Sequence, residues 1–362
     1  IINDGQANTT ANGELDYAGA VYVGDVVNGF TIKNSKFNNN VGIKGGAIRA
    51  YFANNAAVII ENSEFNNNLS QYGSGAYILA NTSAVVSVDI TNSLFANNNS
   101  ANVSSSIKGY TGSSLWIRAN TVNSSVTTNI NNCTFAKNSD LGTQSSTERG
   151  TLGLGKRTDG NSTHIATINN SIFFSNQTTS STTPVTINKG HTAIASITIS
   201  NSIDEYNFQN ITTGKTNTSN ANPLFTDEAN NDFTLTAGSP AINTGDNSKV
   251  PTNITKDLLG NVRIFNTTVD LGAYEFGSAP LDVNNFSFLE NDVSIYPNPT
   301  TSVLNIKMNV NLKRATIYSV LGTKVLETSS KNINTSNLKR SIYLIKIETE
   351  NGSISTKRFM KE

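Results

Sequence analysis

The sequence repeats one pattern of apolar and polar positions six times. In each copy, apolar residues alternate with polar ones and lead to an Asn. A Phe follows three residues later, and a second Asn comes three residues after that. The first Asn stands at positions 34, 62, 92, 132, 170 and 201, and the sixth copy has Asp204 in place of the Phe. Intervals of 28 to 40 residues between copies predict a solenoid in which each interval forms one coil.

The alternation before the first Asn predicts a strand with one buried side. Val58 and Ile60, for example, are two residues apart and share a face. The spacing of three from Asn to Phe breaks this parity, so the chain must bend there. Asn tolerates the left-handed backbone conformation that a tight bend needs. A second short strand is predicted before each copy, as at Ala76-Tyr77.

Short strands separated by bends predict an all-β fold, a parallel β-helix whose Ile and Phe side chains stack in an internal column. The two Asn positions predict two ladders of side-chain amides that bond from coil to coil. The first ladder uses the six positions given above, and the second uses Asn40, Asn68, Asn98, Asn138, Asn176 and Asn207. Sugar binding by runs such as Asn38-Asn39-Asn40 is the alternative.

Composition narrows the function classes. Charged residues make up only 14% of the 362 residues, and Lys+Arg (26) equal Asp+Glu (26), which argues against a general nucleic-acid binder. No stretch approaches eighteen apolar residues, so we expect no membrane span. No signal peptide is visible, and we expect that a leader has been removed.

The single cysteine, Cys133, aligns with a serine in the other copies, at Ser63 for example. This position predicts a small residue at a coil bend. A catalytic thiol would need a His and an orienting partner, and the chain has only His164 and His191.

Basic residues precede several copies at similar distances from the first Asn. Arg49, Arg118, Arg157 and Lys189 lie 12 to 14 residues before it, and Leu79 interrupts the row. With the two histidines, this spacing predicts a face that binds an acidic glycan: Arg118, Arg157, His164, Lys189 and His191. Solvated side chains on longer loops are the alternative. No residue is predicted to be catalytic, because β-helix hydrolases and lyases need convergent carboxylates or bases and the coils are poor in acids.

Residues 222–276 break the repeat. They contain Asn222-Pro223-Leu224-Phe225, Gly238-Ser239-Pro240-Ala241-Ile242-Asn243 and Asp270-Leu271-Gly272-Ala273-Tyr274-Glu275. This stretch resembles the terminal part of the choice-of-anchor Q family of surface proteins, which implies a right-handed parallel β-helix at the cell surface. An open solenoid end needs a cap, so we predict that this segment closes the end.

We expect no cofactor, with calcium as the alternative. Asp227, Glu228 and Asp232 could supply the several oxygens that a hard cation prefers. Their spacing fits no strict calcium-loop pattern and favours a solvated acidic turn.

The last 70 residues read as several short strands separated by turns such as Leu321-Gly322, which predicts a small antiparallel immunoglobulin-like sandwich. The module resembles the type A C-terminal sorting domain of the type IX secretion system of Bacteroidetes. The residues that match its sorting signal are Tyr296, Pro297, Asn298, Pro299, Gly322, Lys357 and Lys361. Ser341 departs from the Gly that usually precedes Ile342-Tyr343. The resemblance implies export across the outer membrane, recognition by the secretion translocon, and cleavage with surface attachment.

The predicted domains are β-helix coils (1–221), a closing segment (222–276), a linker (277–292) and the sorting domain (293–362). We expect a secreted or cell-surface protein that acts in adhesion or glycan binding. A polysaccharide lyase or glycoside hydrolase and a purely structural solenoid remain the alternatives.

Overall fold

The computed structural model describes residues 2–3, 18–24, 28–100, 112–141, 150–158, 160–178, 185–188, 193–278, 293–350 and 354–362. The chain divides into two compact units, Ile1–Leu281 and Asp282–Glu362. Among the described residues there is no helix with the length and apolarity needed to cross a bilayer.

The first unit is a stack of parallel coils, numbered 1 to 6 here after the six copies of the repeat. The long strands form one row: Gly29–Lys33, Ala56–Glu61, Val85–Thr91, Ser125–Asn131, Thr163–Asn169 and Ser196–Asp204, with Lys215–Ser219 added at the end. The short strands form a second row: Ile2–Asn3, Lys36–Asn38, Glu64–Asn66, Leu94–Ala96, Thr134–Ala136 and Ile172–Phe174.

Two further rows complete each coil. After the short strand come Leu69–Ser70, Asn99–Ser100, Ser139–Asp140 and Gln177–Thr178. The second sheet comprises Val21–Val23, Ile48–Phe52, Ala76–Ala80, Leu115–Ala119, Leu152–Lys156 and Ile187–Asn188, with Ala193–Ile194 antiparallel to it. The predicted parallel solenoid is confirmed.

The core follows from the register, because equivalent residues of successive coils lie directly above one another. The repeat phenylalanines pair in register and stack with ring centroids 4.6 to 5.0 Å apart in Phe37, Phe65, Phe95, Phe135 and Phe173. Where Asp204 replaces the sixth Phe, Phe208 closes the column edge-on at 5.5 Å. The predicted internal column is confirmed.

The first Asn of every copy bends the chain. All six have φ between 44° and 52°, the left-handed region that the sequence predicts. The predicted ladder of these amides is largely wrong. Asn92 donates to Asn62 at 2.6 Å, but other amides of the column donate to carbonyls of residues 222–276, as Asn170 does to Asp246 at 3.0 Å and Asn201 to Thr244 at 3.0 Å.

The second Asn ladder is confirmed for five of its six predicted members, and Asn207 does not join it. Buried amides donate from Nδ2 to the Oδ1 of the next coil at 2.9 to 3.0 Å from Asn40 through Asn68, Asn98 and Asn138 to Asn176. The same Oδ1 also accepts the backbone N–H of the preceding Asn, and the second Nδ2 hydrogen of Asn98 goes to the Phe65 carbonyl at 2.8 Å. Each amide is therefore satisfied inside the solenoid.

Outward positions of the short strands change character along the stack. Lys36 and Glu64 in coils 1 and 2 are in register with Leu94 in coil 3, and Asn38 and Asn66 are in register with Ala96. The apolar positions of the later coils are buried against residues 222–276, called the flank segment below: Leu94, Ala96 and Ala136 pack with Phe233, Ala273 and Tyr274. The flank segment carries a hairpin, Phe225–Asp227 with Asp232–Leu235, and a 3-10 helix, Asn247–Lys249.

The flank segment was expected to close the end of the stack, whereas the described contacts run along its side, from Glu61 in coil 2 to Asn201 in coil 6. A buried polar network fixes it there. The Arg263 guanidinium is fully buried, pairs with Glu275 at 3.2 Å, and donates to Asn92 Oδ1 at 3.1 Å. Asp257 accepts the backbone N–H groups of Leu259, Asn261 and Glu275. Much of the motif that suggested the surface-protein family is thus used to hold this segment on the coils.

The second unit is an antiparallel sandwich. One sheet contains Ser294–Tyr296, Val303–Lys307 and Asn332–Asn334; the other contains Lys324–Thr328, Leu312–Ser319, Ser341–Thr349 and Ile354–Lys361. Both sheets contribute to one core, in which Leu304, Ile317, Ile333 and Ile345 are buried.

We expect Asn98→Ala to destabilise the solenoid by about 3 kcal/mol, because it leaves donors and acceptors of two neighbouring coils without partners. Urea unfolding followed by fluorescence of the single Trp, Trp116, measures this, since Trp116 lies in the solenoid unit. The matched control is Asn66→Ala, at a position where coils 3 and 4 already carry Ala96 and Ala136. Equal losses in both variants would contradict the role of the ladder.

Candidate functional site

A cleft of about 670 Å³ opens where the polar outer positions of coils 1 and 2 meet the flank segment. Its walls include Glu64, Asp232, Leu259 and Tyr274. Half of its 14 lining residues are asparagines: Asn38, Asn39, Asn66, Asn67, Asn97, Asn230 and Asn231. The lining therefore presents mainly neutral groups that both donate and accept hydrogen bonds.

The coil wall of the cleft is a column of asparagines at the second bend. Asn39, Asn67 and Asn97 have φ of 57°, 55° and 53° and each directly precedes a member of the buried ladder. Asn39 and Asn67 are exposed, and among the described residues no partner is seen for their side-chain amides. The buried ladder thus fixes the backbone from which these amides face solvent.

The flank hairpin forms the opposite wall. Asn97 Nδ2 donates to Asn231 Oδ1 at 3.1 Å, and Lys137, one coil further, donates from Nζ to the same oxygen and to the Glu228 carbonyl at 3.1 Å each. These bonds hold the hairpin tip over coils 3 and 4. The cleft is therefore bounded at coil 4 and stays open beside coils 1 and 2.

The carboxylates of the cleft are engaged. Glu64 pairs with Lys36 at 2.8 Å, and Asp232 Oδ1 accepts from the backbone N–H and the hydroxyl of Thr234 at 3.1 and 2.6 Å. The ring of Tyr274 lies against the cleft, and burial, together with the charges of Glu64 and Asp232, raises the pKa of its hydroxyl. Tyr274 consequently remains a neutral phenol at physiological pH.

The candidate calcium ligands are used within the hairpin. Asp227 accepts from the backbone and side chain of Asn230 at 3.2 and 2.7 Å, which lowers its pKa, and Asp232 bonds to Thr234 as described. Within the part of the chain that the structure describes, no group of three or more His, Cys, Asp or Glu side chains is placed to hold a metal ion. Asp227 and Asp232 are therefore engaged in hydrogen bonds of the hairpin turn.

The predicted basic row is broken by the register of the second sheet. Arg49 aligns with Tyr77, Trp116 and Gly153, whereas Arg118 aligns with Leu79, two residues further along the strands. Arg157 follows the end of its strand at Lys156. Lys189 and His191, as predicted members of the glycan face, lie outside the described residues.

Aromatic side chains occupy the outer face of this sheet. Tyr72 meets Trp116 edge-on at 4.6 Å, and the Arg49 guanidinium lies 5.1 Å from the Tyr22 ring centre. Trp116 is only 2% exposed and Tyr77 only 8%. These two rings offer little surface to a sugar, so the asparagine cleft is the better candidate site.

His164 is a core residue, which corrects its assignment to a glycan face. It is 1% exposed, and its side chain points inward in register with Val126. Nδ1 lies 2.9 Å from the Gly155 carbonyl and Nε2 lies 2.9 Å from the Thr128 hydroxyl. Because a carbonyl only accepts, Nδ1 carries the proton and Nε2 accepts from Thr128.

Cys133 belongs to a column of buried hydroxyl groups. In this column Ser171 Oγ accepts the backbone N–H of Cys133 at 3.2 Å, and Cys133 Sγ lies 3.3 Å from the Asn131 carbonyl. Burial raises the pKa of the thiol to about 12, so the thiolate that catalysis needs is disfavoured. The position serves packing.

The sequence suggests sugar binding by the run Asn38-Asn39-Asn40 as an alternative, but this run alone does not indicate the cleft. Its other wall comes from residues about 190 positions away, such as Asp232. The sequence feature that indicates the cleft is a change of the outward-facing residues from polar to apolar between coils 2 and 3, as from Glu64 to Leu94 and from Asn66 to Ala96. It marks where the covering segment ends.

We expect His164 to make the solenoid less stable in acid. Burial lowers its pKa from 6.5 to about 4, so the unfolded chain binds the proton first as pH falls, and stability is lost between pH 6.5 and 4. The loss is about 3 kcal/mol from this group. Burial raises the pKa of Asp204 to about 6, which acts in the opposite direction over part of this range.

The wild type is therefore compared with Thr128→Val/His164→Val. This variant carries at each position the residue found in register one coil earlier, Val88 for Thr128 and Val126 for His164. Urea unfolding at pH 7 and pH 4.5, followed by Trp116 fluorescence, should show a smaller acid-induced loss in the variant. A wild-type protein that loses no more stability than the variant would rule out this role.

The predicted sorting signal lies on the second unit. Asn298 donates to the Arg358 carbonyl at 3.2 Å and accepts from the Met360 N–H at 2.9 Å, so the segment Tyr296–Pro299 is attached to the last strand. Gly322 has φ of 81° in an exposed turn. Lys361 is buried in the last strand, whereas Lys357 is partly exposed.

Comparison with known families supports this module. Residues 294–362 match the family described as the secretion system C-terminal sorting domain. No curated protein and no solved structure matches the chain. The parallel sheets of the first unit are consistent with a β-helix carried by that domain. The second unit is therefore a C-terminal sorting domain of the type IX secretion system, and the protein is a cargo of that system, exported to the cell surface or secreted.

Proposed function

We propose that the protein binds glycans outside the cell, and so mediates adhesion, through the asparagine cleft between coils 1 to 3 and the flank segment. The observation that carries the proposal is the lining of the cleft, in which seven of 14 residues are asparagines. Amides can donate to and accept from the same sugar hydroxyls.

The position of the cleft also favours a binding role. Asn39 and Asn67 are held by a rigid backbone, since each precedes a residue of the buried ladder, Asn40 or Asn68. A preorganised wall loses little conformational entropy when a ligand binds. A purely structural solenoid would not require a polar cleft of this size.

Binding is favoured over catalysis by the state of the acidic groups. A glycoside hydrolase uses two carboxyl groups, one to donate a proton and one to act as base or nucleophile. In the cleft, Glu64 is engaged by Lys36 and Asp232 by Thr234. The alternative enzyme would have to release both groups before reaction.

The test is a binding screen with the full chain on immobilised neutral and acidic polysaccharides, with affinities measured by calorimetry. We expect Asn39→Gly/Asn67→Gly to weaken binding about tenfold or more, since two hydrogen bonds contribute about 1 kcal/mol each. Glycine keeps the left-handed backbone at both positions and removes only the amides.

The matched control is Asn123→Gly, an exposed asparagine with φ of 63° outside the cleft, which should bind as wild type does. The same samples are assayed for new reducing ends and unsaturated uronates. Binding that survives the cleft variant would place the site elsewhere, and released product would establish an enzyme.

A further inference from the structure

We propose that the cleft selects an uncharged, extended polysaccharide whose chain runs parallel to the solenoid axis with one sugar beside each of coils 1 and 2. This inference rests on the proposed function and adds the class and direction of the ligand. Three observations support this inference: the repeat of the coils, the boundary of the cleft and the charge of its lining.

The first argument is the repeat of the coil wall. Asn39, Asn67 and Asn97 occupy the same bend of successive coils, and the strands that precede them pair in register as Phe37, Phe65 and Phe95. Neighbouring strands in a sheet are about 4.8 Å apart, so the three amides are spaced by about that distance along the axis. A β-1,4-linked hexose chain advances by a similar length per sugar, so each sugar meets an equivalent amide.

The second argument is the boundary of the column. In coil 4 the same bend is occupied by Lys137, with φ of 54°, and its ammonium is bound to Glu228 and Asn231 of the hairpin. The hairpin tip also accepts a hydrogen bond from Asn97, so it covers the bend from coil 3 onward. Two sugar positions remain, beside coils 1 and 2.

The third argument is charge. Among its described residues, the lining contains two carboxylates, those of Glu64 and Asp232, and no Lys or Arg. The adjacent Lys36 is paired with Glu64 at 2.8 Å and compensates that carboxylate. A uronate chain would place its own carboxylates next to Asp232 with no further cation from the described lining. Neutral hydroxyl groups meet the amides with no such penalty.

The amides also suit hydroxyl groups in number. Asn66, which directly precedes Asn67, is half-buried and lines the cleft, and no partner is seen for its side-chain amide among the described residues. Each such amide can donate two hydrogen bonds and accept others. An extended neutral sugar presents hydroxyls on both edges and can use both functions.

The experiment measures affinities of the full chain for β-1,4-linked glucose and mannose oligomers of one to six sugars, and for galacturonic acid oligomers of the same lengths. We expect the affinity for at least one neutral series to rise from one to two sugars and then level off. We expect galacturonate oligomers to bind at least about tenfold more weakly.

Two variants connect these results to the cleft. Asn39→Gly/Asn67→Gly should remove the dependence on length, with Asn123→Gly as its control. Glu64→Gln/Asp232→Asn should raise the affinity for galacturonate oligomers about tenfold relative to the affinity for neutral oligomers. A urea unfolding transition followed by Trp116 fluorescence shows for each variant that it is folded under the conditions of the binding assay.

The outcomes separate this inference from the proposed function. Tighter binding of galacturonate oligomers than of neutral ones, or an affinity that does not depend on length, would overturn the proposed ligand. If that binding is lost in the Asn39→Gly/Asn67→Gly variant, glycan binding in the cleft still stands. Absence of binding to every oligomer and polysaccharide would overturn both.

Discussion

The structure depends on parallel pairing in register between coils. Backbone hydrogen bonds run along the solenoid axis, so each residue lies directly above its equivalent one coil away. Any side chain that the repeat places inside the coil must then stack on a copy of itself. Phenylalanine rings stack face to face, serine hydroxyls accept the amide of the preceding coil, and asparagines such as Asn68 and Asn98 form a fully bonded ladder. The residues that recur are therefore those whose side chains can pack against, or hydrogen-bond to, the equivalent side chain of the next coil.

The same constraint explains the outside of the solenoid. A column that faces outward is equally uniform unless the sequence changes, and it changes from Glu64 to Leu94 between coils 2 and 3. The apolar part needs a cover, which the flank segment supplies. Burying Arg263 is costly, and the cost is partly offset because its two terminal nitrogens bond to Glu275, Asn92 and the Asp270 carbonyl. Burial raises the pKa of Glu275 to about 7 even beside this guanidinium.

The cleft results from the point where this cover ends. The hairpin tip is held by Lys137 and Asn97, and beyond it the asparagines of coils 1 and 2 remain open. The ladder that fixes Asn40 and Asn68 also fixes the backbone of the exposed Asn39 and Asn67 beside them. The cleft therefore presents side-chain amides from a rigid backbone. The sorting domain is a separate compact unit.

The sequence by itself determined the coils, their internal columns, the left-handed bends and the sorting domain, because each depends on local spacing that a repeat displays directly. It misassigned His164, whose inward position follows from strand parity within its own coil, and it aligned Arg49 with Arg118, although insertions shift the count by two residues. The path of residues 222–276 and the cleft were decided only by the tertiary structure. Both arise from contacts between residues up to about 190 positions apart, such as Asn253 with Glu61, and no local pattern specifies such partners.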